Sequence, residues 1–371
     1  MPLRAFVDGH EVIAAAMSDA EWEALRAAVN ERKLPVVLPC CGAEGYLRRS
    51  GQGSPHFAHK RGAGEAHTPK CEMAGETLQH LNAKALILAA CEAAGYKGLP
   101  EVAGDGWRAD VLAVRPGDNP AGRIAFEVQW SFLKLRDCLY RQRRYARDGV
   151  RGCWFFRNPP PQLFEGERLG ARHDLPLFHL FVNADTSFSV GLNGRLHELG
   201  AFVAALLRGR IRYCDEARAE GEQRLRLVFF PFDCPACGAR SHIYTAARTL
   251  TARCGVTFTP DKPWYSESFA FHPQVQAAAE RALATPEGRR YRLGAIKPRT
   301  DADGATYTSF GCPRCDAIFD RPSVEMALYG ARRLGEVEAV ESFDAVFRLR
   351  APLTAPFAHW CYPAAGGFCC G

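Results

Sequence analysis

The sequence predicts an α/β fold in which a mixed sheet is flanked by helices, with a zinc-binding appendage before it and another after it. Between residues 72 and 156 the apolar pattern switches between the helical and the strand period, in the order helix, strand, strand, helix, strand. The 15 cysteines, an odd number, favour metal binding over a disulfide framework. Two Cys-Pro-x-Cys sequences, which begin at Cys234 and Cys312, are typical of zinc knuckles.

The composition is that of an ordinary globular protein of two or three domains. Of the 371 residues, 47% are hydrophobic and 24% are charged, and no apolar run approaches the ~18 residues of a membrane-spanning helix. The first residues include Asp8, His10 and Glu11 rather than an apolar signal, so we expect a cytoplasmic protein with no membrane partner. The net charge of +6 is compatible with a nucleic-acid partner without being diagnostic of one.

We predict three regions, 1–70, 71–212 and 213–371, of which the second holds the α/β unit and the third is Cys-rich and irregular. A helix is expected at 19–32, where Ser18 is the cap and Trp22 begins an apolar stripe. The elements of the second region follow from periodicity and from the glycines that end helices. They are a helix at 72–94, strands at 107–114 and 123–129, a helix at 133–147, strands at 150–156 and 177–182, and a helix at 199–208.

Two acidic residues on neighbouring predicted strands are candidate metal ligands. Asp110 and Glu127 come close together if the strands pair, and Gln129 then shares the face of Glu127. Adjacent carboxylates repel each other unless a hard divalent cation lies between them, and such a cation can activate water against a phosphodiester. The alternative is two unrelated acids that face solvent. The usual motifs of nucleotide hydrolases, dinucleotide-binding enzymes, α/β-hydrolases and zinc proteases are absent from the sequence.

The two helices next to these strands carry further candidates. Glu76, His80 and Lys84 recur at every fourth position, which places an acid, a base and a cation on one helix face, or else an exposed ladder of ion pairs. Residues 134–151 contain six arginines and one lysine interleaved with tyrosines. This helix is either a DNA-contacting surface, through Arg141, Arg144 and Tyr145, or the charged outer face of an amphipathic helix.

These residues together resemble a known family over roughly residues 35–156. The motifs are His56-Phe57-Ala58-His59, Glu76-x-x-x-His80-x-x-x-Lys84, Arg108-x-Asp110, Glu127-x-Gln129-x-Ser131, and Arg141-x-x-x-Tyr145 before Trp154. In this order they resemble the competence protein CoiA-like family, which looks like a branch of the PD-(D/E)XK nuclease superfamily.

The resemblance implies a restriction-endonuclease-like core and a metal-dependent site. Asp110 and Glu127 would bind Mg²⁺ or Mn²⁺, with Glu76 as an accessory acid. Gln129 would stand where the superfamily usually has a lysine. Because glutamine carries no charge, the positive charge of that lysine could come from Lys84 instead. The resemblance also implies a role in DNA uptake and recombination.

Zinc is expected at two places. In the first region the candidate ligands are Cys40, Cys41, His56, His59 and Cys71, with only one of the two adjacent cysteines binding because their side chains diverge. The alternative is that the histidines pack around Phe57. In the third region Cys234, Cys237, Cys312 and Cys315 can form one Cys₄ site, or each knuckle can bind its own ion with other cysteines and histidines.

The sequence therefore predicts a DNA-processing enzyme, a metal-dependent deoxyribonuclease that acts in DNA uptake, recombination or defence. DNA and other DNA-processing proteins are its expected partners. A non-catalytic DNA-binding accessory protein with a degenerate nuclease fold is the alternative. A third possibility is a zinc-scaffolded interaction protein, which would have no affinity for DNA.

Overall fold

The structure is a computed structural model that describes residues 2–51, 53–60, 76–117, 122–160, 172–247, 249–258, 270–334, 342–363 and 368–370. The chain divides into two compact units, Met1–Tyr213 with Ala358–Tyr362, and Cys214–Phe357 with Pro363–Gly371. The second unit begins one residue after the start predicted for the Cys-rich region. Residues 1–70, predicted as a region of their own, lie in the first unit because Leu3 and Trp22 are buried in the same apolar core as the α/β elements.

The described residues contain six helices. They are α1 (Asp19–Arg32), α2 (Leu78–Ala93), α3 (Leu135–Arg147), α4 (Leu199–Leu207), α5 (Pro273–Ala284) and α6 (Arg321–Leu334). Two 3₁₀ turns, Ala14–Ala16 and Gly288–Arg290, are also present. No helix among these residues is both long and apolar enough to cross a membrane.

The strands of the first unit form one large sheet and two small ones. The small sheets contain β1 (Arg4–Val7), β2 (His10–Ile13) and β3 (Val36–Val37), and β4 (Gly45–Arg49) with β5 (Pro55–His59). The large sheet contains β6 (Lys97–Gly104), β7 (Trp107–Val114), β8 (Arg123–Gln129), β9 (Arg151–Phe156), β10 (Leu177–Val182), β11 (Phe188–Leu192) and β12 (Arg195–Glu198).

The large sheet is mixed, as the sequence predicts. Its seven strands lie in the order β12-β11-β10-β9-β8-β7-β6. The pairs β8–β9 and β9–β10 are parallel, and the remaining pairs are antiparallel. A parallel pair needs a crossover connection, and α3 supplies it between β8 and β9.

Helices cover both faces of this sheet. Leu81 and Ile87 of α2 and Phe202 of α4 belong to the apolar core on one face. Cys138 and Tyr145 of α3 belong to a second apolar core. The α/β prediction is therefore confirmed at the level of a mixed sheet with helices on it.

The element bounds agree with the sequence where its periodicity is regular and differ at two places near the cleft described below. The helix predicted from residue 72 begins at Leu78, because the Thr77 side chain caps it by accepting a hydrogen bond from the His80 N–H; residues 72–75 lie outside the described part. Strand β6 was not predicted, because Gly98 and Pro100 are typical of turns. Since β6 is the edge strand of its sheet, it tolerates the proline.

The second unit is more regular than the sequence suggests. Its main sheet is antiparallel and contains β14 (Glu222–Asp233), β15 (Arg240–Ala247) and β20 (Ser342–Arg348). Phe229 and Tyr244 from this sheet pack with Val275 of α5 in one apolar core. The smaller strands are β16 (Leu250–Thr251) with β17 (Thr257–Phe258), and β18 (Lys297–Thr300) with β19 (Thr306–Ser309). Strand β13 (Arg212–Ala219) pairs with β21 (Leu353–Cys361), and each of these two strands has residues in both units.

Helix α1 begins with a complete capping box, which generates a stability prediction. The Ser18 Oγ accepts from the Glu21 N–H at 3.3 Å, and Glu21 accepts from the Ser18 N–H at 2.7 Å. We expect Ser18→Ala to lower the free energy of unfolding by about 0.5–2 kcal/mol in chemical denaturation, because an N-terminal N–H group loses its acceptor. Ser18→Asp keeps an acceptor and should lose much less; equal losses in the two variants would contradict this role of the cap.

Candidate functional site

A cleft of about 760 Å³ in the first unit contains most of the predicted catalytic residues. Its walls come from the start of α2, the turn between β6 and β7, the ends of β7 and β8, and α3. The side chains that line it include carboxylates, a histidine, arginines and tryptophans. They are Glu76, Thr77, His80, Trp107, Arg108, Asp110, Glu127, Gln129, Trp130, Ser131 and Arg141.

Asp110 and Glu127 enter this cleft from neighbouring strands. The last antiparallel pair between β7 and β8 is Val111 with Phe126, so Asp110 and Glu127 stand opposite each other one position further on. The Asp110 carboxylate also accepts a hydrogen bond from the Val128 N–H at 2.8 Å. The register therefore brings the two residues to the same level of neighbouring strands, whereas the three ligand atoms that lie within 4.8 Å of one another here, among the described residues, belong to Glu76, His80 and Asp110 and not to Glu127.

The two carboxyls lie in different electrostatic surroundings. Burial raises the pKa of Asp110, but the hydrogen bond and charge of His80, the charge of Lys84 and the Val128 N–H together bring it below its ordinary value. Burial and the neighbouring Asp110 raise the pKa of Glu127 to about 8, although a hydrogen bond from Tyr145 and the charge of Arg141 act against the rise. Asp110 is therefore the more acidic and Glu127 the less acidic of the two carboxyls.

Glu76, His80 and Asp110 form a connected group at one side of the cleft. The His80 Nδ1 lies 3.3 Å from Glu76 Oε1, and its Nε2 lies 3.2 Å from Asp110 Oδ2. One ligand atom from each of the three residues falls within 4.8 Å of the others, so this group could hold a metal ion. The spacing of every fourth position in the sequence thus identified two residues, Glu76 and His80, that lie close to Asp110. Glu76 does so although it precedes the first residue of α2.

Lys84 does not reach the cleft, contrary to the role predicted for it. Its side chain is completely buried, and its ammonium lies 2.6 Å from Glu76 Oε1 and 2.9 Å from Glu101 Oε1. Burial lowers the pKa of Lys84, but the charges of Glu101, Glu76 and Asp110 outweigh burial and hold it above its ordinary value. The ammonium therefore stays charged, but it contacts the carboxylates of Glu76 and Glu101 inside the protein and does not line the cleft.

Glu101 is a residue that sequence analysis missed. It stands opposite Asp110 in β6, between the pairs Pro100–Val111 and Val102–Ala109, and it has a φ of 56°. A left-handed conformation at a non-glycine residue costs about 1–3 kcal/mol. It is associated here with a buried carboxylate that accepts from both Lys84 and the Leu3 N–H, the latter at 3.0 Å. Nothing in the local sequence signals this conformation.

The predicted DNA-contacting residues of α3 separate into two groups. Arg141 lines the cleft, with its Nη1 3.7 Å from Glu127 Oε2, and Arg144 lies over the ring of Tyr140. Tyr145 is fully buried, and its one hydroxyl hydrogen is shared between the Glu127 carboxyl and the Arg108 carbonyl, so the prediction that it contacts DNA is wrong. Tyr145 and the buried Cys138 are seven positions apart, and both lie on the inner face of the helix.

Gln129, the last residue of β8, lines the cleft. Its side-chain nitrogen donates to the carbonyl of Ser131 at 2.8 Å and to the Ser131 hydroxyl at 3.3 Å. The side-chain oxygen is therefore the group that Gln129 can offer to a water or a ligand in the cleft.

The N-terminal cysteine group is assembled at the β4–β5 hairpin. The Cys41 and Cys40 sulfurs lie 3.3 and 3.8 Å from His59 Nε2 and 3.7 Å from each other, so the three side chains could hold a metal ion. Both adjacent cysteines converge, contrary to the expectation that only one would. His56 does not join them, because residues three apart on a strand face opposite sides, and it is buried with its Nδ1 near the Ser54 carbonyl. Cys71 lies outside the described residues.

The two knuckles of the second unit meet in one group of four cysteines. The Cys234 sulfur lies 3.7 Å from that of Cys315, and the Cys237 sulfur lies 3.7 Å from that of Cys312. Four thiolates at about 2.3 Å from a tetrahedral zinc are separated by about 3.8 Å, so the arrangement fits this ion. Of the two arrangements that the sequence left open, the geometry supports the single Cys₄ group.

Both knuckles use the same backbone turn. In each, the residue four positions after the first cysteine has a positive φ, 66° at Gly238 and 59° at Asp316, and its N–H donates to the carbonyl of that cysteine. Asp316 adopts this conformation without being glycine, and its carboxylate is held by Lys297 and Arg299 at 2.5 and 2.7 Å. The common turn brings the two thiols of each pair to the same side.

The buried ion pairs of Lys84 generate a second stability prediction. We expect Lys84→Met to lower the free energy of unfolding by about 3–5 kcal/mol, because Glu76 and Glu101 lose their shared counter-charge inside the protein. Chemical denaturation followed by tryptophan fluorescence measures the loss. Lys60→Met is the control, since Lys60 forms an exposed pair with Glu44 and its loss should change little. Adding Glu101→Gln to Lys84→Met should recover part of the stability; no recovery would argue against the charge explanation.

The cysteine group of the second unit generates a prediction on metal content. We expect Cys312→Ser to lower the zinc bound per chain by one ion and to lower the thermal stability, because a closed zinc site contributes to folding. Elemental analysis of the purified full chain gives the zinc content. Cys138→Ala removes a buried thiol of the first unit and should leave the zinc content unchanged. An unchanged zinc content in Cys312→Ser would rule out this site.

Comparison of the chain with protein-family models, with curated proteins and with solved structures finds no match. The resemblance to the CoiA-like family therefore stays a hypothesis that rests on short motifs. The described residues themselves contain two features of this kind. Paired carboxyls lie beside a histidine in one cleft, and clustered cysteines elsewhere could hold a zinc-like metal ion.

Proposed function

We propose that the protein is a metal-dependent deoxyribonuclease of the PD-(D/E)XK type, with a restriction-endonuclease-like core and structural zinc in its cysteine groups. The observation that carries the proposal is the position of Asp110 and Glu127, opposite each other on neighbouring strands in a cleft that also contains arginines. We infer the cytoplasm as its location and DNA processing, in uptake, recombination or defence, as its setting.

The residues of the cleft fit a hard divalent cation. Asp110 and Glu127 are proposed to hold Mg²⁺ or Mn²⁺, with Glu76 as a further acid at the same wall. The raised pKa of Glu127, which comes from burial and from Asp110, shows that the pair tolerates two negative charges poorly by itself. When bound, the cation polarises a phosphoryl oxygen and lowers the pKa of a bound water.

The remaining side chains are assigned to binding and orientation. Arg108 and Arg141 bind phosphate oxygens, which brings the DNA backbone against the two strand ends. The Gln129 oxygen orients the attacking water. The two ring nitrogens of His80 lie beside the Glu76 and Asp110 carboxylates, so His80 orients Asp110, and the proton of the attacking water passes to solvent in the open cleft.

The positive charge that the superfamily lysine would give must come from another residue. Lys84 is excluded because it is buried and paired with two carboxylates. Arg141 is the better candidate: its side chain is 45% exposed and its guanidinium lies beside Glu127 in the cleft. An arginine there can stabilise charge that develops on the phosphate, although it cannot deprotonate water.

A non-catalytic DNA-binding accessory protein is the second candidate. It is favoured by the neutral side chain of Gln129 and by the position of Arg141, whose guanidinium lies 3.7 Å from Glu127 and would repel a cation bound there. Such a protein would keep the cleft and its arginines and would work with other DNA-processing proteins.

Cleavage assays separate the two candidates. We expect the protein to cut plasmid or single-stranded DNA in Mg²⁺ or Mn²⁺, and Asp110→Ala with Glu127→Ala to reduce the rate by at least about 1000-fold, because the proposed metal ligands are lost. The measurement is the rate of strand cleavage on gels at matched protein concentration.

Two controls accompany this assay. Asp174→Ala removes an exposed acid that pairs with Arg172, and it should cut at the wild-type rate. Binding of DNA is measured in parallel by fluorescence anisotropy. If the wild type and the double variant bind DNA alike and neither cuts with either metal, the accessory protein is the correct interpretation.

A further inference from the structure

Aromatic side chains paired with arginines lie at the edges of the cleft. On one side, the Arg157 guanidinium lies 4.9 Å from the ring centre of Trp130, which itself lines the cleft. On α3, the Arg144 guanidinium lies 4.7 Å from the ring centre of Tyr140, the residue next to the cleft residue Arg141. Both pairs are cation–π contacts, which combine a flat apolar face with a positive charge.

Two aromatic rings next to cleft-lining residues in the chain are exposed. Phe132, which follows the cleft residue Ser131, is 57% exposed, and Tyr140, which precedes the cleft residue Arg141, is 54% exposed. The segment from Trp130 to the start of α3 connects the strand that carries Glu127 to the helix that carries Arg141. The two rings therefore offer flat apolar faces to a ligand that extends out of the cleft.

A single strand of DNA offers what these pairs can bind. In a duplex the faces of the bases are covered by stacking, and a protein reaches only their edges and the phosphates. An unpaired strand exposes the faces, on which aromatic side chains stack irrespective of base identity while arginines follow the backbone. A volume of about 760 Å³ is that of a pocket for one small ligand, which suits a nucleotide turned out of a flexible strand.

Resting on the proposed function, we propose that the substrate is single-stranded DNA, held by stacking of its bases on Phe132 and Tyr140 with Trp130 at the cleft wall. The arginines Arg144 and Arg157 lie over the rings and contact the phosphates on either side of the stacked bases. The strand then passes Asp110 and Glu127 with one phosphate in the cleft.

Binding measurements without cleavage test this inference. Fluorescence anisotropy at fixed salt gives the affinity for labelled oligo-dT and for a duplex of equal length. We expect wild type to prefer oligo-dT, and Phe132→Ala and Tyr140→Ala each to weaken oligo-dT binding roughly fivefold or more while changing duplex binding less than about twofold. Neither substitution should change the slope of affinity against salt, because no phosphate contact is lost.

Two control variants define the expected pattern. Leu196→Ala removes another exposed apolar side chain, 61% exposed, on the edge strand β12 at the far side of the sheet, and it should bind both probes like wild type. Arg141→Ala removes a charge of the cleft and should weaken both probes alike and reduce the salt slope by about one.

The possible outcomes distinguish this inference from the proposed nuclease activity. Equal loss on both probes, no loss on oligo-dT, or tighter binding of the duplex overturns the single-strand substrate. Tighter binding of oligo-U than of oligo-dT overturns DNA as the substrate class. Metal-dependent cutting of duplex alone would leave the nuclease proposal intact and reject this one. Binding of oligo-dT that depends on the aromatic residues, without any cutting, would support the single-strand ligand and reject the nuclease proposal.

Discussion

The cleft depends on one buried ammonium group. Lys84 is inaccessible to solvent, and its ammonium contacts the carboxylates of Glu76 and Glu101 and gives them a counter-charge inside the protein. Glu76 in turn contacts His80, which contacts Asp110. The orientation of the acid proposed to bind metal is thus fixed through a chain of charged contacts that begins inside the protein. A helix residue that resembled a catalytic group in the sequence is instead the support of the site.

Regular elements near the cleft could be predicted from the sequence because burial on one or both faces leaves a clear period. The strands Trp107–Val114 and Arg123–Gln129 have the predicted bounds, and with them the placement of Asp110 opposite Glu127. The edge strand beside them could not be predicted, since Pro100 and two glycines dominate its local pattern. The role of Glu101 could not be predicted for a related reason. Its left-handed backbone is associated with hydrogen bonds from partners 17 and 98 residues away in the chain, Lys84 and Leu3.

Side-chain roles were harder to predict than positions. Helical spacing correctly put His80 on the face that meets Asp110, but spacing alone does not say which face of a helix is buried. Tyr145 shares the face of Cys138, so its hydroxyl points inward to Glu127 and not to solvent. In the knuckles the local chemistry sufficed for the turn, whereas the pairing of Cys234 with Cys315 across 81 residues depends on the fold between them.

Asp110 and Glu127 differ in acidity, and the difference follows from their different partners. His80 and the Val128 N–H favour the ionised form of Asp110, and that charge, added to burial, raises the pKa of Glu127. The Tyr145 hydroxyl contacts the Glu127 carboxyl and acts against this rise. If the cleft holds a divalent cation as proposed above, a cation that takes both carboxylates as ligands competes with a proton for the less acidic Glu127. The proposed cation binding would then weaken as the pH falls, because the same burial that makes the pair repel each other also favours the protonated form of Glu127.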